Sequence, residues 1–291
     1  MAASPSGALP DATKLGPVRL QVADLERSLG YYTDVLGFRL LEAVGARAIL
    51  AAHGDDAPLV ILEARRSVAP APRRGRLGLY HYAILLPERA ALGRLIAHLK
   101  RTGVRMGASN HLVSEAIYLS DPDGLGIEVY ADRPRSQWQW REGELVMATE
   151  PLDLDSLLAA GGQATWRGMP ADTRVGHVHL HVGALAEGRT FYQDILGLAL
   201  TARNYPGALF LSAGGYHHHL GINTWAGPTA VAAGPEDARL LDWTVIVPSA
   251  GDAEAVVDRA RSGDFPVMAS EDGWKLTDPW GTTLRLTASK A

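Results

Sequence analysis

The feature that most constrains this chain is a repeat. Residues 16–37, GPVRLQVADLERSLGYYTDVLG, align without gaps on residues 176–197, GHVHLHVGALAEGRTFYQDILG. Val18 matches Val178, Leu20 matches Leu180, Tyr32 matches Tyr192, Asp34 matches Asp194, and Leu36-Gly37 matches Leu196-Gly197. Each copy opens with the alternation of a half-buried strand. Apolar residues then recur at helical spacing up to the glycine, a helix-stop signal. Three strand-like runs follow: FRLLEA, ARAILAA and PLVILEA in the first copy, LALTAR, ALFLSA and HHLGINTW in the later one.

Two further copies are more diverged. YHYAILLPERAALGRLIAHLKRTG (80–103) and LDWTVIVPSAGDAEAVVDRARSG (241–263) again read as strand then helix. Each leads to an Asp-Pro-x-Gly turn, DPDG at 121–124 or DPWG at 278–281, and a last strand, LGIEVY or TTLRLT. Proline fixes φ in such a turn and glycine supplies positive φ. The pattern predicts an α+β fold of four βαβββ modules, near 16–65, 78–131, 176–226 and 240–288. Residues 14–131 form an N-terminal half and 176–288 a C-terminal half. The 132–175 linker carries a short helix near Asp153–Ala160. One module cannot cover both faces of its sheet, so modules must pair, and paired curved sheets enclose a cleft.

Composition narrows the function. A formal net charge of −4 provides no basic field for nucleic acid. Arg65, Arg66, Arg73, Arg74 and Arg76 lie in a Pro/Ala-rich stretch that reads as a solvated loop between modules. With no cysteine in the chain, thiolate metal sites, disulfides and cysteine nucleophiles are excluded. No run approaches the roughly 18 apolar residues of a membrane span. The opening MAASPSGALPDATK has neither a basic start nor an apolar core, so it reads as a short disordered lead-in and the protein as cytoplasmic.

The doubled βαβββ unit, the helix ending YxDxLG and the DPDGxxIE hairpin resemble the vicinal oxygen chelate superfamily, which includes glyoxalase I, bleomycin-resistance proteins and type I extradiol dioxygenases. LYHYAILLP, SEAIYLSDPDGLGIEVYADRPRSQWQ, GHVHLHV and GGYHHHLGINTWAG are most similar to two-domain extradiol enzymes of the Bacillus catechol 2,3-dioxygenase type. The resemblance covers nearly all of residues 14–288. It is more specific for fold than for reaction, because this fold hosts several chemistries.

The resemblance implies metal ligands at the start of a module's first strand and on its last strand. The first-strand positions hold Pro17, His81, His177 and Asp242 in modules one to four. The last-strand positions hold Glu128 in module two and Arg285 in module four; they fall near Leu62 or Glu63 in module one and near His219 or Leu220 in module three. Pro17 has no donor atom and Arg285 is a cation, so modules one and four read as metal-free, with Asp242 and Arg285 as a candidate ion pair. His81, Glu128 and His177 remain, two imidazoles and a carboxylate that leave open positions on Fe(II), or on Mn(II) in its place. This set works only if module two pairs with module three, and module one with module four.

Six of the ten histidines lie in module three. His177, His179 and His181 share one strand face. So many imidazoles are costly in a dry core and point to a wet cleft. His217, His218 and His219 begin that module's last strand, so His217 and His219 share a face with His218 turned away, and His219 lies nearest the superfamily's proton-transfer histidine. Tyr118, ten residues before Glu128, matches a substrate-orienting tyrosine, and His111 stands near another family histidine. The expectation is therefore a ring-cleaving dioxygenase of a catechol-like diol with O₂. His219, Tyr118 and His111 are its candidate catalytic residues, and His179, His217 and Tyr130 its substrate contacts. It needs neither nucleic acid nor membrane, and a homo-oligomer is left open. The rivals are a glyoxalase-like isomerase or lyase, and a protein of this fold that sequesters an aromatic drug.

Overall fold

The computed structural model describes residues 7–289. Its strands build two large curved sheets, and the modules pair across the halves of the chain. One sheet runs Val267–Ser270, Gly273–Thr277, Thr283–Ala288, Arg239–Val247, Lys14–Val22, Pro58–Ala64, Arg47–Ala51, Arg39–Val44, which joins module four to module one. The other runs Ala199–Ala202, Ala208–Ser212, Leu220–Asn223, Arg174–His181, Arg76–Leu85, Gly126–Asp132, Ser114–Ser120, Gly107–Asn110, joining module three to module two. At each junction the two first strands meet antiparallel, with Arg19 opposite Asp242 and His179 opposite His81.

Within each half, the repeat's most persistent residues tie its two modules, and so the two sheets, together. Tyr32, in the helix of module one, donates its hydroxyl to Asp121 of the DPDG turn in module two at 3.3 Å. Tyr192 of module three makes the same bond to Asp278 of the DPWG turn at 2.8 Å. Each aspartate also accepts two backbone N–H groups of its own turn, from Asp123 and Leu125 or from Trp280 and Thr282. The first helix starts at an Asp24 cap that accepts the Arg27 N–H, and it ends in one π-helical turn, Tyr31–Val35, as its counterpart does at Thr190–Ile195. Val18, Leu20, Val22 and their matches Val178, Leu180, Val182 lie in one continuous core that both sheets share.

Several expectations change. The lead-in is ordered from residue 7 onward: Leu9 is buried, and its N–H donates to the carbonyl of Gly197 at 2.8 Å. Residues 1–6, the start of that lead-in, lie outside the described residues. The linker helix is present at Leu154–Gly161, capped by Asp153. Asp242 and Arg285 do not pair. Arg285 binds Asp272 at 2.6 Å, because the neighbouring hairpin brings that acid alongside it. Asp242 instead takes Arg19 at 3.1 Å, and the same guanidinium reaches Glu63 at 3.3 Å. A guanidinium between two carboxylates therefore fills the metal-equivalent place in this sheet. No helix among the described residues is long and apolar enough to cross a membrane.

Candidate metal centre and substrate cavity

His81 lies in the Arg76–Leu85 strand, His177 in Arg174–His181 and Glu128 in Gly126–Asp132, three adjacent strands of one sheet. A bulge between Val175 and His177 and the parallel pairing of Ala83 with Glu128 bring the three side chains together. The Nε2 atoms of His81 and His177 stand 3.1 and 3.2 Å from the same Glu128 oxygen, and the two rings are 5.6 Å apart. The donor atoms all lie within 4.8 Å of one another, and all three residues are buried.

This arrangement fits a metal ion. Two donors about 2.1 Å from one ion at right angles are themselves about 3 Å apart. The buried His81 Nε2 has no hydrogen-bond partner despite its closeness to Glu128, so its lone pair is left for a cation. Burial pushes His177 down to about 4, against the pull of Glu128, so its imidazole is neutral. Burial opposes charge on Glu128, but His177 and His81 hold its carboxyl well below the usual range. His177 is thus a neutral imidazole and Glu128 a carboxylate, the protonation states that ligation requires.

His81 and Glu128 line a cavity of about 280 Å³, into which Tyr118, His111, His179 and His218 also project, whereas His177 does not line it. Its remaining wall is largely apolar, with Met147, Phe210, Tyr205 and Trp225, the usual setting for a small aromatic ligand. Tyr118 stands directly across the strand pair from Glu128. Its hydroxyl is 2.5 Å from His111 Nε2, while His111 Nδ1 is 2.7 Å from the carbonyl of Ala148. That carbonyl can only accept, so Nδ1 carries the proton and Nε2 accepts from Tyr118. Burial, then the nearby Glu128 charge, pushes the Tyr118 phenol well above its ordinary value, so it remains a donor. The His179 ring packs against Gly221 of the neighbouring strand, where a Cβ would stand 2.9 Å from the ring.

The module-three histidine cluster is arranged differently from expectation. His217–His219 do not run as a strand: Gly214 and Gly215 both have φ of +61° and turn the chain, and the strand begins only at Leu220. Alternation therefore fails there. His218, expected to turn away, lines the cavity, and its ring lies 4.0 Å from that of His177. His219 faces a separate pocket with Arg135 and Arg174, and its Nδ1 accepts the Ala213 N–H at 3.2 Å. His217 is fully buried behind His218 and does not reach the cavity. Tyr130 does not line it either: its ring packs 5.0 Å from that of His177, and its hydroxyl bonds Tyr216 at 2.7 Å. That placement requires Gly176, since a Cβ there would fall 1.8 Å from the Tyr130 hydroxyl.

Met147 and Thr149 were not foreseen, because the linker has no second copy to align with. They reach the cavity because Glu150 pairs with Asn110 through two backbone bonds of 2.9 and 3.0 Å, laying the linker along the sheet edge.

Residues 14–129 and 174–285 each match the model of the Glyoxalase/Bleomycin resistance protein/Dioxygenase superfamily. A catechol-2,3-dioxygenase of Bacillus subtilis (strain 168) is 45% identical over 271 residues, 92% of this chain and 94% of that protein. A solved putative dioxygenase of Bacillus subtilis superposes with a TM-score of 0.64 over 96% of this chain and 86% of its own, at 11% identity. Glyoxalase I of Zea mays does so with a TM-score of 0.56 over 95% and 92%, at 18% identity. The two structural likenesses concern the fold alone, but with the family match to both halves and the close catechol-2,3-dioxygenase relative they leave one assignment: the chain belongs to the Glyoxalase/Bleomycin resistance protein/Dioxygenase superfamily.

Proposed function

We propose that this protein is an extradiol dioxygenase that opens the ring of a catechol-like aromatic diol beside its two hydroxyls, adding both atoms of O₂. The observation that carries the reading is the convergence of His81, Glu128 and His177 at the edge of an aromatic-walled cavity that also presents His218 and Tyr118. The relative named catechol-2,3-dioxygenase supports it. The metal is Fe(II), with Mn(II) as the substitute. His81, Glu128 and His177 hold it, and when bound it supplies Lewis-acid polarisation of the diol oxygens and open positions for substrate and O₂.

The chain's own residues do the rest. Glu128 supplies one negative charge, so a divalent ion held there would keep a net positive charge that favours one ionised diol oxygen. His218 is held neutral by burial, with the rings of His177 and His217 adding to the effect. It accepts a proton from the diol and later returns one to the oxygenated ring. It takes the acid/base role expected of His219, which faces another pocket. Tyr118 donates its hydroxyl proton to His111 and orients the diol by accepting a hydrogen bond from the diol O–H. His179 contacts the ring substituents. Met147, Phe210 and Trp225 keep water from the reacting carbon. A glyoxalase-type isomerase needs a further carboxylate as base, and module three offers only His219 and Leu220 at its last-strand position.

Reconstitution with Fe(II) without oxygen, then exposure to a panel of catechols, tests the reading. Stoichiometric O₂ consumption with a yellow ring-opened product is expected. Metal uptake with no oxygen consumption across the panel, or turnover of a thiol–oxoaldehyde adduct instead, would overturn it.

A further inference from the structure

Behind His218, away from the cavity, a chain of hydrogen bonds continues into the protein. His218 Nδ1 is 2.7 Å from His217 Nδ1, and His217 Nε2 is 3.0 Å from Asp132 Oδ1. The same carboxylate oxygen accepts the Tyr216 hydroxyl at 3.2 Å, and Tyr216 is bonded to Tyr130 at 2.7 Å. His217 has no exposed surface, while the Asp132 side chain is 24% exposed at the far end.

The donors in this chain follow from one fact: an ionised carboxylate only accepts. His217 must therefore donate from Nε2. In a neutral imidazole this leaves Nδ1 as the acceptor, so the proton between the two Nδ1 atoms belongs to His218. A neutral His218 protonated on Nδ1 carries its lone pair on Nε2, the nitrogen left for the cavity. We propose that Asp132 is a positioning residue that acts through His217 to fix His218 in its Nδ1–H tautomer, so that the diol meets Nε2 as a proton acceptor. This rests on the reading of His218 as the group that handles the substrate proton. Without Asp132 either ring could turn its proton the other way. His218 would then offer an N–H where a lone pair is needed.

The test uses the full chain loaded with Zn(II), which is diamagnetic, and reads the histidine tautomers by long-range ¹H–¹⁵N correlation. Wild-type His218 is expected as the Nδ1–H form. In Asp132→Leu, an isostere with no acceptor, and in His217→Phe, the Nε2–H form should appear. With Fe(II), both variants should lose kcat by roughly 10- to 100-fold with KM little changed, less than the roughly 10²–10⁴-fold of removing a proton-transfer group outright. A wild-type His218 protonated on Nε2 would overturn the proposal even if neither variant folds. So would an Asp132→Leu protein that keeps both the tautomer and kcat. Wild-type protein that opens no catechol would instead contradict the proposed function, and the tautomer would still be readable.

Discussion

The imidazole of His218 lies 4.0 Å from that of His177, centroid to centroid, although His219 is the residue that continues into the strand beside it. On the proposed function, a ligand and a proton carrier stand side by side without sharing a role. His218→Asn should leave the metal in place and lower turnover by roughly 10²–10⁴-fold. His219→Asn, in the neighbouring pocket, should change turnover by no more than a few-fold. Metal content and oxygen uptake on both variants check this. Metal loss in His218→Asn would make that residue a ligand, and a collapse of activity in His219→Asn would return the role to it.

Asp121 makes a prediction about pH. Burial pushes its carboxyl up to about 6, although the N–H groups of Leu125 and Asp123 pull the other way. The folded state therefore binds this proton more tightly than the unfolded chain, whose value is near 3.8. Stability from this group is greatest below the unfolded pKa and falls as pH rises through the window from about 4 to 6, by up to roughly 3 kcal/mol. Asp121→Asn keeps the Oδ1 acceptor for the turn and removes the charge. Urea unfolding of this variant should show a flatter pH profile and higher stability than wild type at pH 8. A variant less stable at pH 8 and unchanged in slope would contradict the sign.

In the other sheet, Arg19 bridges Asp242 and Glu63 where its counterpart sheet gathers His81, Glu128 and His177. Asp242 is 3% exposed and burial pushes its carboxyl up, with Arg19 leading Arg285 and Lys275 in pulling it back down. Arg19→Met should cost roughly 1–3 kcal/mol, less than a fully buried pair because Arg19 is partly solvated. Denaturant midpoints measure this. An unchanged midpoint would show that Asp242 does not need its partner.

The fold was legible because the repeat carries its own alignment: Tyr32 with Tyr192 marks equivalent places in modules one and three, and DPDG with DPWG does so in modules two and four. His81, Glu128 and His177 were legible only with the family resemblance, which marks the module positions; the repeat then showed where a side chain able to bind a metal survives. His218 was not. Alternation assigns faces only within a strand, and the Gly214–Gly215 turn ends that rule before the histidines begin. The Arg19 bridge was hidden too, since Arg19 and Glu63 belong to module one and Asp242 to module four. Met147 and Thr149 have no repeated partner, and only the pairing of Glu150 with Asn110 brings them to the cavity.

On the proposed function, one divalent metal binds between His81, Glu128 and His177. Anomalous scattering at the iron edge, from crystals of the Fe(II)-reconstituted protein grown without oxygen, tests it most directly. A single strong peak should lie about 2.0–2.2 Å from Nε2 of both histidines and from a Glu128 oxygen. Either no peak at this place or a peak between Asp242 and Glu63 would contradict the account.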